Sequence, residues 1–181
     1  STDDTVAIIE AARDRLPFEV VLLRNPTRLG NTANFGRALE HARGRIVALA
    51  DQDDVWYPHK LRRIVDEMTV DPTLTMVFSD ADLIREDGRV RDESLWQARR
   101  VGRSLRANPV VSVTDFARRG PTTGCTMAVR RRAVEAALPL PALLDDPAGV
   151  MRHDRWLSLV AAAVGTARAC PDRLMGFRVH P

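Results

Sequence analysis

The sequence is poor in cysteine, in lysine and in long apolar runs, and each shortage removes a class of protein. Only two cysteines, Cys125 and Cys170, occur in 181 residues. They stand far apart and without ligand spacing, which excludes a disulfide scaffold and a cysteine-based zinc cluster, and a reducing, cytoplasmic setting is expected. The longest apolar run, Leu157 to Gly165, contains a serine and falls far below the roughly 20 residues that span a bilayer. No signal-peptide pattern opens the chain. Lys60 is the single lysine among 27 basic residues, so positive charge is carried almost entirely by arginine. The arginines are scattered, with Arg99 to Arg106 and Arg130 to Arg132 as the local concentrations, and 24 acidic residues bring the formal charge to +3. Without a clustered basic stripe or a helix-turn-helix signature, no nucleic-acid partner is expected.

What is present is an ordinary globular balance, 45% hydrophobic and 28% charged, in a length that suits one domain of about 150 residues. Val6, Ile9, Ala12 and Leu16 recur at helical spacing and predict a helix over Thr5 to Leu16, capped by Thr2 or Asp3 and ended by Pro17. Phe18 to Leu23 reads as a buried strand, and Asn25 to Gly30 as a turn-rich loop. Asn31 to Ala42 reads as a second helix closed by Gly44. Ile46 to Ala50 is a strand-length apolar run, Pro58 to about Val70 a helix, Thr75 to Phe78 a strand, and Ile84 to Arg91 a hairpin. Arg91 to Pro121 carries no clear period. Gly124 to Val129 predicts a strand, Arg131 to Leu138 a helix, and Pro139 to Gly149 a loop. Asp154 to Val164 predicts a helix, followed by strands at Thr166 to Cys170 and Leu174 to Val179. Alternating strands and helices make a parallel-dominated α/β sheet the economical architecture.

Chemistry concentrates at Asp51-Gln52-Asp53-Asp54-Val55-Trp56, directly after a buried strand, at the sheet edge where open α/β folds place ligands. Three carboxylates within four residues repel one another, a cost a fold tolerates when a hard cation such as Mg²⁺ or Mn²⁺ sits among them. Asp51 and Asp53 are the expected pair, and Asp54 is expected to cap the Pro58 helix. Asp80-Ala81-Asp82 is a second Asp-x-Asp at a strand end, for which turn formation is the competing explanation. Asp154, beside His153 at a helix start, is either a cap or a general base. Arg178 and His180 point the same way on an extended segment, where they either face one phosphate or merely end a surface strand.

In order along the chain, several motifs together resemble the family 2 glycosyltransferases of the GT-A fold, looking closest to the bacterial rhamnosyltransferase-like branch. They are Ser1-Thr2-Asp3-Asp4-Thr5; Arg28-Leu29-Gly30-Asn31 with Asn34; Ala42-Arg43-Gly44; the Asp51 to Trp56 segment with Pro58 and Lys60; Gly124-Cys125-Thr126-Met127-Ala128; His153-Asp154-Arg155-Trp156; and Arg178-Val179-His180. The resemblance implies one catalytic domain over residues 1–181, a three-layer α/β/α GT-A fold with a mixed, mainly parallel sheet. The family's first strand and its Asp-Asp-Gly segment would precede Ser1, and the family usually continues past His180. The implied activity is inverting transfer of a hexosyl or rhamnosyl group from a nucleotide-diphosphate sugar to a saccharide or lipid-linked acceptor, in cell-envelope polysaccharide synthesis. That places the protein in the cytoplasm, with at most peripheral association at the inner face of the membrane.

By the same resemblance Asp154 is the expected base, and Asp51, Arg28, Asn31 and Arg178 are expected to bind the donor. Asp51, Asp53 and His180 are expected to hold Mg²⁺ or Mn²⁺; Trp56, Asp80, Thr123, Gly124 and His153 are expected to bind the acceptor. Arg155 stands where the family often has an aromatic, so a more polar acceptor pocket is expected. Two other readings compete. A metal-dependent nucleotidyl or phosphoryl transferase would use the same strand-end carboxylates, although no glycine-rich run ends in Gly-Lys-Ser/Thr. A non-catalytic, arginine-rich binding module is the other.

Overall fold

The computed structural model describes residues 3–145 and 151–180; the capping expected of Thr2 and the 146–149 part of the Pro/Asp loop lie outside the described residues. Among the described residues the strands are β1 (Ile46–Ala48), β2 (Val55–Trp56), β3 (Leu74–Ile84), β4 (Val90–Ser94), β5 (Val110–Val111), β6 (Met127–Arg130) and β7 (Thr166–Arg178). The helices are α1 (Thr5–Arg13), α2 (Asn31–His41), α3 (Lys60–Val70), α4 (Leu95–Ala98), α5 (Gly102–Ala107), α6 (Val113–Arg119), α7 (Arg131–Ala137) and α8 (His153–Val164). All strands join one sheet of order β1-β6-β3-β7-β2, with β4 on β3 and β5 on β7. The longest ladder, β3 with β7, is parallel, and the other pairings are antiparallel. Strands β1, β3 and β7 therefore point the same way, but β6 runs antiparallel between the first two. The sheet is mixed.

From Met76 onward period-2 alternation divides the central strands between two cores, with Leu74 on the other side of a register shift in the β3–β7 ladder. Met76, Phe78, Met127 and Val129 face α2, α7 and α8 through Leu39, Val134 and Leu157. Leu74, Val77, Ala128 and Cys170 face α3 through Ile64 and Met68. Helices on both faces make the three-layer α/β/α arrangement. Each large apolar side chain fully buried this way contributes about 1.5–3 kcal/mol.

Several expectations are corrected. Phe18 to Leu23 joins no ladder among the described residues; it has no regular secondary structure, with Phe18 64% and Val21 51% exposed. A β-branched run becomes a strand only when a neighbour accepts its amides. The two C-terminal strands are one, β7, whose register against β3 shifts on either side of Asp80; such irregularities accommodate Pro171 inside a strand. The stretch without a clear period contains α4 and α6, each opened by a capping box, Ser94 with Gln97 and Ser112 with Asp115. The Ile84 to Arg91 hairpin forms, with Ile84 opposite Val90 and Gly88 at φ +82° in its turn. No helix among the described residues is long and apolar enough to cross a membrane.

Candidate functional site

Topology brings the candidate residues to one edge. The chain leaves β1 at Ala48, passes through Asp51–Asp54, and returns as β2 antiparallel to β7, with Val55 opposite Gly176 and Trp56 opposite Met175. Because β1 and β2 lie at opposite ends of the sheet order, the aspartate segment crosses the strand ends between them. Strand β7 ends at this edge with Arg178, and β6, antiparallel to β1, begins there; the 3₁₀ turn Gly124–Thr126 leads into it.

Arg178 ties the edge together. Its backbone N–H donates to Asp54 Oδ1 at 2.9 Å, its Nε to the Asp53 carbonyl at 2.7 Å, and its Nη1 to the carbonyls of Arg85 and Glu86, each at 2.8 Å. Two of its three side-chain nitrogens thus brace the Asp53–Asp54 backbone against the β3–β4 turn, and Nη2 has no partner among the described residues. Asp54, expected to cap the third helix, instead receives Arg178; α3 has no side-chain cap.

The three aspartates have different surroundings. His180 Nε2 lies 2.6 Å from Asp53 Oδ2; this pairing holds the Asp53 carboxyl below its usual range and the imidazole above its own. Asp51 goes the other way, its carboxyl raised first by burial and then by the charges of Asp54 and Asp53. Asp54 Oδ2 is buried with no hydrogen-bond partner among the described residues. An orphaned oxygen beside a carboxylate that resists ionisation is the electrostatic situation a divalent cation relieves.

The expected ligand set of Asp51, Asp53 and His180 is divided by the geometry. Side chains close enough to share one ion are Asp51, Asp54 and Cys125, whose ligand atoms lie within 4.8 Å of one another. Burial, reinforced by Asp54, pushes the Cys125 thiol well above its ordinary range. A protonated, soft sulfur suits neither Mg²⁺ nor Mn²⁺, so the oxygens are the fitting donors.

Asp154 lies in the first turn of α8, where the cap position belongs to Arg152 and makes no side-chain bond. Asp154 Oδ1 nevertheless accepts the first-turn N–H of Arg155 at 2.8 Å, so Asp154 satisfies a helix-start amide without occupying the cap position. Its Oδ2 accepts the Gly124 N–H at 3.2 Å, joining α8 to the turn before β6. A Cβ at Gly124 would meet His153 Nε2 and Asp154 Cβ at 3.4 Å, so the turn packs closely on the start of α8. His153 is buried and stacks on Phe35 of α2, ring centroids 4.0 Å apart. Trp56 Nε1 and Thr123 Oγ1 are buried without hydrogen-bond partners among the described residues. Both belong to the expected acceptor set, and both can bond an incoming hydroxyl.

Asp80 does not fit that set. It is 0% exposed, and its carboxylate is filled by the N–H groups of Ala81 at 2.8 Å and Trp96 at 2.9 Å, by Ser94 Oγ at 2.8 Å and by Arg106 Nη2 at 3.5 Å. With no open face toward an acceptor, it anchors α4 to β3. Arg28 and Asn31 are exposed at the N-terminal mouth of α2, and among the described residues neither makes a hydrogen bond or ion pair with the aspartates.

Two participants were given no role by the sequence reading, although Lys60 stands in a motif that carries the resemblance. Phe35 gave no polar signal, although helical spacing places it one turn beyond Asn31. Lys60 is fully buried; its Nζ donates to the Cys125 carbonyl at 2.6 Å and stands 4.1 Å from the Trp56 ring centroid. Burial pushes its ammonium down to about 8. Its rarity was the available signal, since it is the single lysine of an arginine-rich chain.

Several known proteins resemble this chain in sequence or in fold. The chain is 30% identical over 184 residues to an uncharacterized protein of Mycobacterium tuberculosis, covering 99% of this chain and 48% of that protein. It is 25% identical over 180 residues to an uncharacterized glycosyltransferase of Nostoc sp., covering 99% and 53%. The chain thus spans about half the length of these relatives. Among solved structures it superposes on Staphylococcus aureus TarS residues 1–349 in complex with UDP-GlcNAc, with TM-score 0.67 and 16% identity, covering 100% of this chain and 48% of that one. That likeness is one of fold, the GT-A fold. The family model for glycosyl transferase family 2 matches residues 1–137, from α1 through the aspartate segment and β6 to the end of α7, and the chain therefore belongs to glycosyl transferase family 2.

Proposed function

We propose that this chain carries the catalytic site of an inverting, divalent-cation-dependent glycosyltransferase that moves a sugar from a nucleotide-diphosphate donor to an acceptor hydroxyl. The observation that carries this reading is the convergence of Asp51–Asp54, Arg178, His180 and Asp154 on one sheet edge, with Asp154 held by the Gly124 N–H. The carboxylates of Asp51 and Asp54 would hold Mg²⁺ or Mn²⁺, whose charge would stabilise the departing diphosphate, with the Asp53–His180 pair beside them. Arg178 Nη2 faces the same developing charge. Asp154 accepts the proton of the acceptor hydroxyl as its oxygen forms a bond to the anomeric carbon; the bond from that carbon to the diphosphate breaks on the opposite side, which inverts the configuration. Trp56, Thr123, Gly124 and His153 line the acceptor side, while Arg28 and Asn31 extend the donor side.

A UDP-sugar is the first donor to test, because the TarS structure binds UDP-GlcNAc. The acceptor is a saccharide or lipid-linked saccharide of the cell envelope, reached from the cytoplasm. The decisive experiment incubates the full-length protein with UDP-, GDP- and dTDP-sugars, Mn²⁺ or Mg²⁺, and candidate acceptors. Release of a nucleoside diphosphate with product of inverted anomeric configuration is expected, lost on chelation and cut by about 10²-fold or more in Asp154→Asn. Release of pyrophosphate instead, or full transfer by Asp154→Asn, refutes the assignment.

A further inference from the structure

Lys60 has no task in the chemistry above, yet the fold encloses it completely. Among the described residues it forms no ion pair. Its Nζ donates to the Cys125 carbonyl at 2.6 Å, touches Met175 Sδ at 3.1 Å and stands 4.1 Å from the centroid of the Trp56 ring. These contacts draw α3, the Gly124–Thr126 turn, β7 and β2 around one ammonium.

Packing does not explain the charge. An ammonium taken out of water without a carboxylate partner is costly, and a hydrophobic residue of similar volume usually serves stability as well or better. Methionine has nearly the length of lysine and would suit a cage of sulfur, aromatic ring and aliphatic carbon. Arginine, used everywhere else in this chain, presents a planar fork that cannot concentrate its charge on one carbonyl and one ring face as a compact ammonium does.

Both groups that Lys60 grips lie on the acceptor side. The Cys125 carbonyl belongs to the turn whose Gly124 N–H donates to Asp154 Oδ2 at 3.2 Å. Trp56 carries the unpartnered indole N–H. We propose that Lys60 is the positioning residue of the acceptor site: its ammonium pins the Gly124–Thr126 turn and the Trp56 ring, and so holds Asp154 and the indole N–H in register for the acceptor hydroxyl. The inference rests on the reading of Asp154 as the base.

Lys60→Met in the full-length protein tests it by two independent readouts. The first is kinetic. Thermal midpoint is retained or raised and the KM for the donor stays within about twofold, but kcat/KM for the acceptor falls by about tenfold or more relative to donor hydrolysis in the absence of acceptor, as a misplaced reacting pair requires. Unchanged acceptor kcat/KM overturns the proposal. So does a fall shared equally by donor hydrolysis together with a lowered midpoint, because that pattern belongs to a structural residue. The second readout needs no substrate: hydrogen exchange of the amides in 123–126 is expected to accelerate by about tenfold or more in Lys60→Met. Unchanged exchange overturns the proposal. If the wild-type protein transfers no sugar while this exchange still accelerates, the reading of function fails and the positioning of the turn by Lys60 stands.

Discussion

Neighbouring carboxylates of identical chemistry acquire different roles here because their partners differ. Asp53 is paired with His180, Asp54 takes a backbone N–H from Arg178, and Asp51 is pushed toward its neutral form by burial. Lys60 supplies the opposite sign nearby, and its protonation gives a test at this scale. Burial lowers it to about 8 from 10.5, so between those values the unfolded chain holds a proton that the folded chain does not. Stability attributable to Lys60 therefore rises with pH across that window. Tyr57 and Cys170, each raised to about 12 by burial, keep protons in the folded state and pull the other way above their ordinary values. The difference between wild type and Lys60→Met isolates the lysine. Denaturant titrations at several pH values should show the advantage of the methionine variant shrinking from pH 8 to pH 10.5, and an advantage constant with pH would refute the buried charge.

At the scale of elements, β3 organises both the core and the site. Asp80 sits where its register against β7 shifts, and its carboxylate caps the start of α4 by accepting the Trp96 N–H at 2.9 Å. Asp80→Ala leaves that donor and the Ser94 hydroxyl without an acceptor inside the core, and a loss of about 3–5 kcal/mol is expected in chemical denaturation. A variant that unfolds at wild-type denaturant concentration would return Asp80 to the acceptor. Gly165, between α8 and β7, has extended backbone, so space alone constrains it. A Cβ there would lie 2.4 Å from Thr75 Cγ2 and 3.0 Å from the Thr73 carbonyl, and Gly165→Ala should cost about 1–3 kcal/mol by overpacking.

How legible these elements were depended on whether the cause was local. The strand before Asp51, the hairpin at Gly88 and the helices after Arg130 and His153 follow from spacing and turn chemistry, and they form. The parallel partner of β3 arrives about 90 residues later, and no local pattern announces whether a run such as Phe18 to Leu23 will find a ladder. Within the site, the strand-end aspartates, Arg178, His180 and Asp154 were readable as candidates from position and resemblance. The enclosure of Asp80 was not, because it depends on α4 folding back over β3. The capping boxes of α4 and α6 were present in the sequence and are the local signal that weak hydrophobic periodicity obscured.

For the whole molecule, stability is unevenly distributed. Nearly every residue of β3 is buried, whereas α1 buries none of its nine residues and leaves Ile8 65% exposed. Hydrogen exchange should therefore be fastest across residues 3–25 and slowest in β3 and β7, and Ile8→Glu should change stability by no more than about 0.5 kcal/mol. Protection of α1 equal to that of β3 would contradict this partition.

The enclosed lysine has one more consequence. The chain carries twenty-six arginines and one lysine, and that lysine is fully buried, so acylating reagents and amine-directed crosslinkers find no side-chain amine to attack until the cage around Trp56 opens. The rate at which an acyl label accumulates on Lys60 is then a clock for that opening, readable by mass on the intact chain.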